Sequence, residues 1–288
     1  VILPDIKAGE TKKVSLSCTP LKRGKIQFPD TKLILPVPLG LFQQIVRLAP
    51  DSSSITVLPK RYKLPELNLE GMSRNEMGGR SVARATGQTD EVVGLREYRP
   101  GDPPKHIHWR SWAKTGKPIV REYEDVFFPR YGLVLDTACS YERADYFEEA
   151  VSIATSFVRS VETKECLLDL IFLNQGAQVQ TVGTGVAKSD EMLELLATVD
   201  VDLEPDWQSL TKKVLMHADA LSACIVVLVE LDDHRKKLIQ QWRATGLSLL
   251  VIVITDDDTE DNEKARLGII SISKKTIQSD LMKKLGRI

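Results

Sequence analysis

The sequence predicts an α/β fold: a mostly parallel sheet flanked by helices, preceded by a small β-rich domain. Three observations carry that reading. From Tyr131 onward, near-continuous apolar runs ("YGLVL", "LLDLIFL", "CIVVLV", "LSLLVIVI") alternate with amphipathic stretches of helical period. Residues 1–60 hold only short β-rich runs broken by Gly, Pro and Asp. Between the two lies a polar, Gly-rich stretch without periodicity, so the division expected is 1–60, a linker over 61–92, a distinctive segment over 93–130 and the α/β unit over 131–288.

In the first unit "KKVSLSCT", "GKIQF", "TKLILPV" and "SSITVLP" read as strands of a sandwich-like domain. Sixty residues fall short of the roughly 100 of an immunoglobulin-like sandwich, so this unit either continues upstream or leans on its neighbour. The linker "EGMSRNEMGGRSVARATGQTDE" reads as a solvated loop, with Arg74, Arg80 and Arg84 as the alternative phosphate or partner contacts.

In the α/β unit, "YERADYFEEAVSIATSFVRSVE" keeps Phe147, Ala150, Val151, Ala154, Phe157, Val158 and Val161 on one helical face. The strand "AQVQTVG" and the helices "SDEMLELLATV" and "DWQSLTKKVLMHADAL" follow. "DHRKKLIQQWRATG" is a helix that stops at Gly246, a residue suited to the left-handed position after a helix.

Composition narrows the function. A net charge of −1 gives no global attraction to nucleic acid or anionic lipid. Cys18, Cys139, Cys166 and Cys224 are scattered without a CxxC pair, the pattern of free thiols in a reducing compartment. The longest apolar run, 247–254, is far below the ~18 residues of a membrane helix. No signal-peptide pattern opens the chain, and Val1 begins in what reads as a strand without an initiating Met, so upstream sequence is expected.

In open parallel sheets, ligands bind beyond the carboxyl ends of the strands. Three apolar runs end there in acids: Asp136, with Ser140 leading into the next helix; Glu230, with Asp232 and Asp233; and the run Thr255–Asp258. Such an edge fits a hard cation, Mg²⁺ or Mn²⁺, through oxygen ligands. It equally fits ordinary helix caps. A dehalogenase-type phosphatase needs a second carboxylate two residues after Asp136, where Ala138 stands. A divalent-metal-dependent hydrolase, nuclease or phosphatase, remains the enzymatic alternative and needs the acids to converge. Cys139 reads as packing rather than a nucleophile, and no Gly-rich phosphate loop is present.

The segment "REYRPGDPPKHIHWRSWAKTGKPIVREYE" (96–124) is dense in aromatic and charged residues. It reads as a strand, a turn at Pro100-Gly101 with Asp102 bonding its own backbone, a short helix over "KHIHWRSWAKTG", and a second strand. Trp109 and Trp112, three apart, can pack side by side. His106 and His108, two apart, suit a metal only on extended chain. Arginines interleaved with Tyr98, Trp109, Trp112 and Tyr123 could bind single-stranded nucleic acid. With Glu97, Asp102, Glu122 and Glu124 beside them, internal ion pairs are the reading preferred.

This run, followed by "LVLDT", resembles the signature of the family called domain of unknown function fifty-eight: REY-x-PGD, then I-(D/H)-W, then V-(R/K)-E. Upstream, "LKRGKIQFPDTKLILPVPLGLF" and "ITVLPK" are similar to its β-rich segment. The resemblance implies a von Willebrand factor A-like domain, a pair of membrane helices upstream placing this chain at the cytoplasmic face, and a non-enzymatic adaptor role beside a MoxR-type AAA+ ATPase. It makes Arg96, Tyr98, Asp102, His108, Trp109, Arg121 and Glu122 signature positions, structural clasp first and partner contact second. It also implies a metal-ion-dependent adhesion site at Asp136, Ser140, Thr184 and Glu230 or Asp232, for Mg²⁺ or Mn²⁺. Ala138 stands where a ligand serine is usual, which makes that site degenerate.

Overall fold

A computed structural model describes residues 6, 9–15, 17–27, 32–36, 43–47, 54–66, 90–125, 129–161, 166–173, 177–182, 186–256 and 267–286. Upstream, β1 (Gly24–Gln27) pairs antiparallel with β4 (Ser54–Val57), and β2 (Lys32–Pro36) with β3 (Gln43–Arg47). Among the described residues these form two separate ladders, on which Ile34, Ile45 and Ile55 are all more than half exposed. "KKVSLSCT", expected as a strand, has no strand among its described residues and is solvent-exposed throughout them. Alternation alone does not hold a strand that lacks a partner and a buried face. The ladder β1–β4 leans instead on the α/β unit through Arg23. Its guanidinium donates to Glu148 at 2.7 Å and to the Val199 carbonyl, and lies 5.1 Å from the Phe147 ring centroid. The linker expected over 61–92 falls largely outside the described residues. Its described start, Tyr62–Pro65, is held against the α/β unit, and Asp90–Val92 already belong to a strand.

That strand, β5 (Asp90–Glu97), pairs antiparallel with β6 (Ile119–Asp125), with a register shift between Val92 and Gly94. The connection holds a single 3₁₀ turn over Pro104–His106 and the helix α1 (Trp109–Thr115), ended by Gly116 at φ 72°. The single helix expected from Lys105 is thus broken: Ile107 and His108 are not helical, and Ile107 bridges to Val120.

The α/β unit contains β7 (Arg130–Leu135), α2 (Ala144–Val161), β8 (Leu167–Leu173), β9 (Ala177–Val182), α3 (Val186–Thr198) and α4 (Trp207–Ala218). It continues with β10 (Ala223–Leu228), α5 (Asp233–Ala244), β11 (Leu249–Thr255), β12 (Ile269–Ser273) and α6 (Ile277–Asp280), which runs on into a wider turn over Leu281–Leu285. The sheet order is β12-β11-β10-β7-β8-β9, parallel except for β9, which is antiparallel to β8. This is the α/β fold expected, a doubly wound, mostly parallel sheet flanked by helices.

Both faces of the central strands are buried, which explains the unbroken apolar runs. Leu133, Leu135, Ile225 and Val227 face α2, α3 and the C-terminal helix. Val134, Val226 and Leu228 face Leu210 and Val214 of α4 and Ile239 and Trp242 of α5. Gly132 is where β7 passes closest to its neighbours: a Cβ there would stand 2.9 Å from Leu221 Cδ1 and 3.1 Å from Cys224 Sγ. Strand order reverses between β7 and β10, so the crevice for a ligand lies beyond the carboxyl ends of these two strands.

Candidate functional site

Asp136 is the first residue beyond β7, and its backbone N–H donates to the Val227 carbonyl of β10 at 2.9 Å. Its carboxylate is buried. Oδ1 accepts from the Ala138 N–H at 3.0 Å; Oδ2 accepts from the Val229 N–H at 3.2 Å and from Arg235 Nε at 2.7 Å. Thr137 is buried beside it and its hydroxyl donates to the Leu173 carbonyl at 2.9 Å, tying the loop to the tip of β8.

Arg235 organises the site. Besides Asp136 it reaches Glu230 Oε1 at 2.9 Å and Asp232 Oδ2 at 2.8 Å through Nη1, and donates to the Ala138 carbonyl through Nη2. The Trp207 ring of α4 lies over the guanidinium at 5.0 Å. The side chain is 2% exposed. Asp232 is the N-cap of α5 and accepts the Arg235 N–H at 2.7 Å, so one carboxylate both caps the helix and fixes the side chain three residues on. Glu230 also accepts from Arg143 Nη1 at 3.2 Å.

The electrostatics follow. Burial pushes the Asp136 carboxyl up, against the downward pull of Arg235 and the two N–H groups. Arg235 is itself desolvated, yet Asp136, Asp232 and Glu230 together hold it above its ordinary value, so it is a permanent cation. Burial, with Asp136 and Glu230 nearby, pushes the Cys139 thiol up to about 11, the opposite of an activated nucleophile.

The acids of β7 and β10 therefore converge, as a metal enzyme or adhesion site would require, but they converge on a guanidinium. Asp256, beyond β11, goes elsewhere and accepts a close hydrogen bond from Tyr146 of α2. Asp233 is an exposed first-turn residue, and Asp257, Asp258 and Thr184 lie outside the described residues. Ser140 is exposed and its hydroxyl does not cap the turn that follows. Among the described residues no three His, Cys, Asp or Glu side chains are arranged to hold a metal ion.

The sequence reading missed Arg235. A cue was present: a basic residue in the first turn of a helix opposes the helix dipole and calls for an acidic partner. Trp207 carried no comparable mark.

In the β5–β6 hairpin, Arg96 forks onto Asp102 at 2.7 and 2.8 Å and stands 3.7 Å from Glu122. Asp102 also accepts the Arg99 N–H at 2.8 Å, the self-bonded turn expected. Its carboxyl is held down at about 2 by Arg96 and the Arg99 N–H. Trp109 and Trp112 stack with centroids 5.3 Å apart, Trp109 being largely exposed. His108 sits half-buried with Nδ1 2.7 Å from the Ser111 hydroxyl. Tyr98 is exposed, its N–H bonded to the Pro118 carbonyl, and Arg121 is exposed on β6. None of these residues is among those that contact Arg235.

No family model matches the chain. It is 20% identical over 283 residues to the uncharacterized protein YeaD of Bacillus subtilis, spanning 98% of this chain and 69% of that one. Among solved structures it is similar to the conserved hypothetical protein BatB from Bacteroides thetaiotaomicron. That match has 13% identity and a TM-score of 0.36, over 56% of this chain and 100% of that one. It is also similar to an aerotolerance-related membrane protein from Bacteroides fragilis, with 12% identity and a TM-score of 0.34, over 55% and 97%.

Proposed function

We propose that this chain is a non-enzymatic interaction module that docks a protein partner across the carboxyl edge of its sheet. The observation that carries the reading is the state of Asp136. The carboxylate a hydrolase would need is buried and already accepts from a guanidinium and two backbone N–H groups. What the edge offers to solvent is apolar and charged surface. Tyr141 and Leu203 are 73% and 52% exposed, on two loops joined by the bridge between Ala138 and Asp202. Exposed aromatic and aliphatic anchors in a charged rim are what protein interfaces use.

The resemblance of the 96–124 run supports a MoxR-type AAA+ ATPase as that partner, and with it membrane helices upstream and a position at the cytoplasmic face. No helix among the described residues is long and apolar enough to cross a membrane. The hairpin acts as a clasp, and the use of Arg96 by Asp102 and Glu122 supports a protein rather than a nucleic-acid partner.

The test is co-purification with a MoxR-type ATPase. Wild type is retained, and Tyr141→Ser with Leu203→Ser, which leaves the Arg235 contacts intact, weakens binding at least ~10-fold, the loss of about 1.4 kcal/mol. Retention unchanged by the double substitution sinks the docking face. Mn²⁺-dependent phosphodiester or phosphomonoester hydrolysis abolished by Asp136→Ala replaces the adaptor reading with the enzymatic one.

A further inference from the structure

The adhesion-site expectation supplies Mg²⁺ or Mn²⁺ at Asp136, and the residues present do not fit one. We propose that Arg235 is a resident cation standing where a divalent ion would stand, and that the site excludes Mg²⁺ and Mn²⁺ while Arg235 is in place. The proposal does not rest on partner docking.

Four oxygens from two strand ends and a helix cap point at one place: Asp136 Oδ2, the Ala138 carbonyl, Glu230 Oε1 and Asp232 Oδ2. That is a hard-cation oxygen set in kind, mixed carboxylate and backbone carbonyl. Each of the four instead accepts a guanidinium N–H. A Mg²⁺ ion needs its oxygens at ~2.0–2.1 Å in near-octahedral array. Here the space between them is filled by a planar group whose nitrogens stand 2.7–2.9 Å from the three carboxylates. The Trp207 face over the guanidinium suits a flat, weakly hydrated cation and offers no oxygen to a divalent one.

The chain also fixes Arg235 independently of the other strand ends, because Asp232 binds both its N–H and its Nη1. Ala138 fits the same account. Where a metal would want a side-chain hydroxyl, this chain presents a methyl group and uses the backbone carbonyl for Nη2. Removing the guanidinium while keeping the oxygens should free them to close on a divalent ion, an arrangement these side chains do not have around Arg235.

The experiment measures Mn²⁺ binding by calorimetry, and melting temperature with and without millimolar Mn²⁺, for wild type, Arg235→Lys, Arg235→Ser and Arg235→Ser with Asp136→Asn. Wild type and Arg235→Lys are expected to show no stoichiometric Mn²⁺ binding and no Mn²⁺-dependent shift. Arg235→Ser is expected to melt lower than wild type and to regain stability with rising Mn²⁺, and the added Asp136→Asn to remove that gain. One-to-one Mn²⁺ binding by wild type that Asp136→Asn abolishes overturns the proposal, as does a folded Arg235→Ser that ignores Mn²⁺. If Arg235→Ser does not fold with or without the ion, wild type and Arg235→Lys decide: binding overturns the proposal and its absence supports it.

Discussion

Two arginine–aspartate contacts, each with a buried carboxylate, stand toward opposite ends of β7, and they are built differently. Near the amino end, Arg130 forks onto Asp169 of β8, Nε to Oδ2 at 2.8 Å and Nη2 to Oδ1 at 3.1 Å, two flat groups matched edge to edge. At the carboxyl end, Arg235 meets three carboxylates and a carbonyl, each from a different direction, and Asp136 is also the acceptor for two backbone N–H groups. The first is a matched pair whose charges cancel. The second is a hub that fixes the loop after β7, the loop after β10 and the start of α5. The difference teaches that buried charge has two uses in one sheet, and that only the hub carries backbone that depends on it.

The strongest way to break the comparison is to remove the hub acid. Asp136→Ala strands a buried guanidinium and two buried N–H groups, and the expected loss is about 3–5 kcal/mol, read from urea unfolding. A loss below about 1 kcal/mol would show that Glu230 and Asp232 suffice. Replacing whole pairs sharpens the contrast. Arg130→Met with Asp169→Leu is expected to be neutral or mildly stabilising, as buried pairs often are when both partners become apolar. Arg235→Met with Asp136→Leu is expected to remain destabilised, by about 1–3 kcal/mol for each of the Ala138 and Val229 N–H groups it orphans. Equal stabilities for the two double variants would erase the distinction.

Burial at the same edge, and only then the hub's carboxylates, sets thiol chemistry. Cys139 is buried with its thiol pushed up to about 11, whereas Cys18 is exposed. Iodoacetamide at neutral pH is expected to modify Cys18 first in the native protein, as followed by peptide mass. Prior modification of Cys139 would mean that the edge is open.

The smallest effect concerns the shallow pair of the hairpin. Asp102 is held at about 2 in the folded chain, chiefly by the Arg96 hydrogen bond and then by the Arg99 N–H. A depressed folded value means its contribution is present above the unfolded pKa of ~3.9 and is lost as pH falls toward 2. Carboxyl NMR titration should show this low midpoint, and Arg96→Ala should return it toward the ordinary range.

The local grammar of the chain was legible in its residues. The apolar strands, the face of α2, the stop at Gly246 (φ 86°) and the Asp102 turn all form where hydrophobic period and turn chemistry place them. The meeting of Asp136, Glu230 and Asp232 was legible as a location, because strand ends of a parallel sheet share one edge. What they meet was not. Arg235 lies on the most polar helix of the unit, among Asp233, His234, Lys236 and Lys237, where hydrophobic patterning gives no reason to bury it. The "KKVSLSCT" reading failed for the converse reason: its alternation was real, but no neighbouring strand stands ready to pair with it among the described residues.

Residues 62–65 have a mechanical consequence. The Tyr62 N–H donates to Ser156 Oγ at 2.8 Å, and its hydroxyl to Glu149 at 2.5 Å. The side-chain amide of Gln278 grips the Lys63 backbone in both directions, each bond 2.9 Å. Pro65 stands 3.7 Å from where a Cβ on Gly286 would lie. The upstream chain is therefore stitched to both α2 and the final helix before it reaches the hairpin. A pull arriving from the amino-terminal side would reach the Arg23 contacts and then these bonds ahead of the sheet, so the stitch is a second fuse. Trimming the chain before Gln278 would remove half of that fuse, and with it the Asp280 carboxylate that holds the Ser273 N–H of β12 and the buried Leu281 and Leu285.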